Sequence, residues 1–501
     1  MLNICCLLHS YIFRNIDYTA LGIQVVADEC RKSFFYFVKM FWDVIISEKP
    51  IYNWHIPYLC DELQKLSVSI INREPKPYDL IINIPPGTTK STIVTIMFPV
   101  WLWINDPTLR AITNSYSGGL SIEHATKSKD IIQSDKFRKL FPEIILRRDK
   151  QGKQHYENTQ GGFRYATSTG ATITGFHAHV IINDDPQNPK QADSEPLRLQ
   201  ANEHVKTLSS RKVNKENTPM ITVMQRLHEE DVTGYLLKRK GEKIRHVCLP
   251  AELSDMVKPV ELRDKYVDGL LDPVRLNRSV LEEAKIDLGS LGYAGQYEQS
   301  PIVDGGNIVK DEWFRRISYS DFMALRFRET IHFYLDTAYN KKQRTDNDPS
   351  GILAACRIRN SVYLVDAQKV WKEMPDLLRF LPEYMASHGA TGESKLHIEP
   401  KANGISVVQM LKEISTLNVK ETPTPDDSKE VRLRVVSPRI ECGRVYIVEG
   451  SWNEEFLKEV CGFPTQPHDE YVDILGYAIN DLLNDDDDID YDALGKGTFG
   501  L

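Results

Sequence analysis

The chain has 501 residues, 41% hydrophobic and 26% charged, with a formal net charge of −8. That length suits two or three domains with separate cores. The acidic balance excludes a generally basic nucleic-acid coat but leaves room for a local basic patch. The eight cysteines form no CxxC pair, so a zinc site has no support; their scatter fits buried thiols in a reduced, cytosolic protein. The apolar start, Leu2 to Phe13, is too short to span a bilayer and lacks the basic lead of a signal peptide. No membrane partner is expected.

From about Asp28 to Leu66 the pattern is helical. Phe34, Phe37, Val38, Phe41, Trp42 and Ile45 recur at helical spacing, and Ile56, Leu59, Leu63 and Leu66 repeat it. Pro75 and Pro77 close the segment. Short apolar runs then alternate with helical stretches: Leu80–Ile84, Leu109–Asn114, Phe163–Ala166, His179–Asn183 and Met220–Met224. Buried strands separated by helices predict a parallel sheet with helices on both faces. The stretch from about Leu236 to Phe314, with four prolines, reads as a linker subdomain. A second alternating block follows: a strand at Ile331–Leu335, a hairpin through Ile352–Arg357 and Val362–Asp366, and a helix near Pro375–Ser387. A strand at Leu396–Ile398 and a last helix near Tyr471–Leu483 complete it. The expected fold class is α/β in two successive blocks. The expected boundaries are a helical segment 1–75, a first α/β core 76–240, a linker 241–325, a second α/β core 326–484 and an acidic tail 485–501. That tail, Asp485 to Asp488 with Asp490 and Asp492, is the composition of a solvated end.

A phosphate loop needs backbone N–H groups at a helix start and one lysine for the β/γ-phosphates. The strand ending at Ile84 runs into Pro85-Pro86-Gly87-Thr88-Thr89-Lys90-Ser91-Thr92 and then an apolar helix, Ile93 to Ile96. Pro86, Gly87, Thr88, Thr89, Lys90, Ser91 and Thr92 are the candidate nucleotide contacts, with Lys90 on the phosphates and Ser91 or Thr92 on Mg²⁺. The loop departs from G-x-x-x-x-G-K-[ST]: Pro85 replaces the first glycine and Thr89 the second. About a hundred residues on, His179 to Asn183 is an apolar strand ending in Asp184-Asp185. In that position the first acid holds Mg²⁺ and the second activates water; such a pair can also cap a helix, and Pro186 would suit a cap. Gln225, after the strand Met220–Met224, could sense the γ-phosphate.

The second constellation is a series of carboxylates. Asp336 ends an apolar strand, Asp348 opens the next, Glu399 ends a later strand, and Asp469 and Asp473 open the last helix four residues apart, on one face. Strand acid, hairpin, strand acid and helix acid is the order of ribonuclease-H-like nucleases, in which converging carboxylates hold two Mg²⁺ or Mn²⁺ ions. Asp336, Glu399 and Asp473 are the first candidate ligands, Asp469 the fourth and Asp348 the fifth; Asp185 is the candidate catalytic acid of the other site. Lys401 could neutralise a phosphate or be a solvated lysine. Four basic stretches could meet DNA phosphates or be solvated faces: 136–139, 147–148, 238–240 and 432–439.

These stretches, with Asn53-Trp54-His55, Phe98-Pro99-Val100-Trp101, Met224-Gln225-Arg226-Leu227-His228, Leu288-Gly289-Ser290, Gln296 to Pro301 and Gly305-Gly306, resemble the large terminase subunit of tailed bacteriophages. The resemblance runs from about residue 28 to about 484. It implies an ATPase of the additional-strand kind, with Gln225 in the segment coupling hydrolysis to movement. It implies ATP with Mg²⁺, Mn²⁺ being possible at the nuclease site, and double-stranded viral DNA as the cargo. It further implies a homo-oligomeric ring on a portal protein, a small terminase subunit, and the cytoplasm of an infected bacterium. Many family members carry an arginine inside the phosphate loop, where this chain has Gly87-Thr88-Thr89. A transition-state arginine would then come from elsewhere, such as a neighbouring subunit, with Arg164 and Arg211 as candidates. The rival readings are a repair helicase or nuclease, and a decayed structural ring component.

Overall fold

The computed structural model describes residues 20–301, 307–326, 329–337, 349–399, 403–415, 417–422, 427–465 and 468–483. Asp348, Lys401, Gly305-Gly306 and the acidic tail lie outside these residues. The chain divides into two compact units, one of Met1–Leu281 with Leu291–Ile302, the other of Glu282–Ser290 with Val303–Leu501.

In the first unit eight strands form one sheet: β1 Asp79–Asn83, β2 Ala111–Ser115, β3 Leu146–Gln151, β4 His155–Asn158, β5 Phe163–Ser168, β6 Val180–Asp184, β7 Met220–Met224 and β8 Ile244–Cys248. Their order is β3-β4-β5-β2-β6-β7-β1-β8. The strands from β5 to β8 pair in parallel, while β3 and β4 run antiparallel at one side. Every residue of β1, β2, β6 and β7 is buried, as expected of apolar strands covered on both faces. The β3–β4 hairpin was not predicted, because Leu146–Gln151 reads LRRDKQ and buries only Leu146. β7 lies between the phosphate-loop strand β1 and the acid strand β6, the additional-strand arrangement.

The N-terminal helical stretch resolves into Ala20–Lys32, Phe34–Ile45 and His55–Asn72. Ser33 separates the first two by capping the second, its hydroxyl accepting from Tyr36 N at 3.1 Å. Phe34 packs against Trp101, and Phe41 against Phe37, Phe137 and Phe141. After the phosphate loop, Thr92–Met97 is a π-helical turn that leads into the α-helix Phe98–Asn105, where the sequence predicts one apolar helix.

The second unit holds a seven-stranded sheet: β9 Arg315–Ile317, β10 His332–Asp336, β11 Ser350–Ile358, β12 Ser361–Val370, β13 Lys395–Ile398, β14 Asn418–Glu421 and β15 Val445–Val448, in the order β14-β13-β10-β11-β12-β15-β9. The central β10–β11–β12 meander is antiparallel and the flanking pairs are parallel. This is a ribonuclease-H-like sheet extended by β15 and β9. Alternation along β10 sends Phe333 and Leu335 to one core, with Leu381 and Leu411, and Tyr334 to the other, with Val436 and Ile474. The segment read as a linker subdomain is shared out, β8 joining the first sheet and β9 the second. The described cysteines are free thiols. Among the described residues no helix is long and apolar enough to cross a membrane.

Candidate active sites

Because β1, β6 and β7 are parallel, the residues that follow them meet at one edge of the first sheet. The loop after β1 is held from within and from behind. Thr88 Oγ1 donates to Pro85 O at 2.7 Å. His55, fully buried, places Nε2 3.2 Å from Thr88 O, while Asn53 Nδ2 lies 2.8 Å from its Nδ1. The amide can only donate there, so the ring proton belongs on Nε2 and is given to the loop carbonyl. Burial brings His55 down to about 4, so the ring is neutral at pH 7. Gly87 and Thr89 both take left-handed backbone, φ 74° and 62°. Thr89 thus adopts the geometry for which the usual loop has glycine, at a cost for a β-branched residue.

Lys90 is 6% exposed and reaches the acid pair directly. Its Nζ lies 3.0 Å from Asp185 Oδ2 and 3.3 Å from Gln225 Oε1. Ser91 Oγ donates to Asp184 Oδ1 at 3.0 Å. Lys90, Ser91, Asp184, Asp185 and Gln225 therefore form one network, and the pair is no helix cap. Asp185 sits at φ 40°, pinned by its N–H to Val223 O and by Tyr116 N to its carbonyl, both at 2.9 Å. Burial raises both carboxyls. Thr95, Lys90, Ser91 and Arg164 oppose the rise at Asp184; Lys90 opposes it at Asp185, where Asp184 adds to it.

Asp184 Oδ2 and Asp185 Oδ1 are buried acceptors without a hydrogen-bond partner, a donor set that suits a divalent cation. His124, absent from the sequence reading, brings Nδ1 to 3.4 Å from Asp184 Oδ2; burial lowers it to about 4, so this is no ion pair at pH 7. Arg164 is corrected as a candidate for a neighbour's site. It is 1% exposed and fixed to Ser128 Oγ and to Thr113 Oγ1, so it serves the core. Arg211 is partly exposed, its Nε on Ser210 Oγ at 3.0 Å.

In the second unit, Leu335 pairs with Ile398 across parallel strands, so Asp336 and Glu399 follow side by side at the strand ends. The last helix, Glu470–Leu483, brings Asp473 to the same place, and its first turn is anchored from below. Lys369 Nζ lies 2.9 Å from Glu470 Oε2 and also contacts Glu459, which accepts from Tyr471 N at 2.7 Å. Burial first, then the charge of Asp473 and Glu399, pushes Asp336 up to about 7, with Lys429 and Arg432 opposing. Burial also raises Asp473 against the pull of Lys429 and Arg432. Asp469 stands just before the helix rather than in its first turn. Lys429 Nζ bridges it to Asp473, at 2.7 Å from each, and Arg432 lies 2.5 Å from Asp473 Oδ1.

The donor set suits divalent cations in charge, since Asp336 and Asp473 are acids whose ionisation burial opposes. In spacing, no three acid, histidine or cysteine side chains among the described residues close round one point as they stand. Lys429 and Arg432 were not foreseen as partners of these acids: forty-odd residues of sequence separate them, and helix packing alone joins them.

Three comparisons bear on these sites. Residues 387–482 match the family model described as Terminase RNaseH-like domain. Among solved structures, the large terminase of a thermophilic bacteriophage in complex with ADP is 12% identical; the match covers 84% of this chain and 99% of that one, with a TM-score of 0.47. The HK97 bacteriophage large terminase is 9% identical, covering 90% and 99%, at 0.38. The nuclease domain of the bacteriophage SPP1 large terminase with bound Mn is 14% identical, covering 34% and 98%, at 0.26. Among curated proteins, transportin of Dictyostelium discoideum is 32% identical over 145 residues, 27% of this chain. The chain spans 14% of that protein's length.

Proposed function

We propose that this chain is the large subunit of a tailed-phage terminase, an ATP-hydrolysing motor for double-stranded DNA joined to a nuclease that cuts it. One observation carries the reading: a lysine-and-acid phosphate-loop site shares its chain with a segment, 387–482, that matches a terminase nuclease domain. In the first unit Lys90 would release Asp185 and take the β/γ-phosphates, with Pro86 to Thr92 around them. Ser91 and Asp184 would hold Mg²⁺, whose chemistry there is to neutralise phosphate charge. Asp185, freed and still buried, is then the base that orients and deprotonates water. Gln225 already touches Lys90, so the end of β7 would feel whether that lysine faces the acid or a phosphate.

In the second unit Asp336, Glu399 and Asp473 would hold Mg²⁺ or Mn²⁺, with Asp469 beside them. Metal ions bound there supply an activated water and stabilise the leaving oxygen. Lys429 and Arg432 now neutralise Asp473, and cation entry requires Lys429 to give up at least part of that contact. As a packaging motor the chain would work as a ring on a portal protein, with a small terminase subunit choosing the DNA, in the cytoplasm of an infected bacterium. The test is paired assays on the full chain: phosphate release from ATP with and without duplex DNA, and plasmid cleavage in Mn²⁺ or in EDTA. DNA-stimulated hydrolysis together with metal-dependent cutting supports the reading. Cutting without any ATP turnover would leave a nuclease and sink the motor.

A further inference from the structure

In three of the four basic stretches the fold commits some of the basic side chains to protein partners. Lys136 is committed to Asp43 at 2.6 Å and to Met40 O at 3.0 Å. Arg147 is paired with Asp149 and Glu157. Arg432 serves Asp473, and Arg439 donates to Asn480 Oδ1 at 3.0 Å. The fourth, Lys238-Arg239-Lys240, ends the helix Val232–Lys240 beside the N-terminal end of β1, opposite the phosphate loop.

Basic groups from separate segments collect there. Asp79, the buried first residue of β1, has Lys76 and Lys240 at 2.7 Å and Lys212 at 3.5 Å. Its Oδ1 also accepts from Met220 N, the first residue of β7, at 2.8 Å. One carboxylate thus faces three ammonium groups. Lys212 registers the surplus: burial, with Lys76 and Lys240 adding and Asp79 opposing, brings it down to about 7. Further out, Lys206 and Arg239 flank the Tyr235 ring, at 5.8 and 5.4 Å from its centroid, joining the helix Glu195–Ser209 to this face. Residues 76–79, 203–216 and 238–243 together hold nine Lys and Arg against four Asp and Glu, on a chain whose formal total is −8. Lys215, Lys238, Arg239 and Lys243 are exposed.

We propose that this face seats the phosphate backbone of duplex DNA without reading its sequence, an inference that rests on the motor reading above. A duplex offers one negative charge per ~1.7 Å of axis, and flexible lysine stems suit phosphates rather than base edges. The placement also fits a motor. β1 and β7 carry Asp79 and Met220 at this end, and the phosphate loop and Gln225 at the other. Five strand residues span about 16 Å. Backbone grip and nucleotide site would then be the two ends of the same buried strands.

The test uses the full chain in EDTA, a fluorescein-labelled blunt duplex of arbitrary sequence, and anisotropy titrations across a series of KCl concentrations. The variant is Lys238→Ala/Arg239→Ala/Lys243→Ala, none of which belongs to the nucleotide or nuclease site. Its affinity should fall at least about tenfold, and the slope of log K against log salt should fall by up to about three, near 0.9 for each phosphate no longer neutralised. A charge-keeping Lys238→Arg/Arg239→Lys/Lys243→Arg chain should bind like the parent. Parental affinity and slope in the alanine variant, with ATP turnover intact, would overturn the seat and leave the motor reading standing. Binding lost in the alanine variant, while duplex DNA fails to change ATP turnover in the parent, would support the seat and remove the motor.

Discussion

Both candidate sites bury carboxylates beside cations, but they do so to different ends. In the first unit the cation is a working part: Lys90 is already inside the network it is to serve, held by Asp185 and Gln225, and the loop behind it is braced by His55. In the second unit the proposed reading makes the cations placeholders. Lys429 and Arg432 neutralise Asp473 where metal ions would be needed, and no described acids yet close round a point. The difference teaches that a site can be complete in residues and incomplete in geometry. On the proposed reading the first site would change partner by moving one lysine, whereas the second would have to exchange organic cations for inorganic ones before it could act.

The sharpest way to break this contrast is Lys90→Ala. Phosphate release should drop by about 100-fold or more, since a preorganised charge at the reacting phosphates is lost, while Mn²⁺-dependent plasmid cutting persists. Parental ATP turnover in that variant would remove Lys90 from the site. Asp336→Ala should do the converse. Cutting falls by about 100-fold or more with ATP turnover unchanged, and a gel showing parental nicking would remove Asp336 from the metal set.

The electrostatic half of the contrast can be sharpened by pH. Folded Asp336 titrates near 7 against 3.8 for the free side chain, so the folded state keeps a proton that the unfolded state gives up between those values. Stability from this group is therefore full below pH 3.8 and lost as pH rises through 7. In EDTA, Asp336→Asn should escape that loss, gaining on the parent by on the order of 3–4 kcal/mol between pH 4 and pH 8. A melting-temperature difference that stays flat with pH would contradict it. The smallest effect is expected at Thr89→Gly, which relieves the left-handed strain in the loop. Folding should be favoured by under about 1 kcal/mol after glycine's chain entropy is deducted, with ATP turnover retained; a lowered melting temperature would show that Thr89 contributes more than its backbone costs.

Much of this architecture was legible because burial leaves a mark in the chain. β1, β6 and β7 are apolar runs bounded by polar residues, so strand, loop and acid pair could be placed from sequence. The acid series of the second unit was readable for the same reason. What escaped was held by tertiary contact alone. Nothing in the sequence ties Lys429 to Asp473 or His124 to Asp184, and β9, with the composition RRI, gives no hydrophobic signal to separate it from a linker. His55 was noticed as part of a motif but given no task, because its partner is a loop carbonyl, which has no sequence signature.

The charged outermost strand of the first sheet has a consequence of its own. An open sheet ends in unpaired N–H and C=O groups, a template on which another chain can add a strand. β3 stands at that border with Arg147, Arg148, Asp149 and Lys150 in succession, the last three of them exposed. A strand so densely charged repels a second copy of itself and deprives a stray strand of an apolar strip to lie on. At high local concentration, this border would keep neighbouring molecules from fusing sheet to sheet.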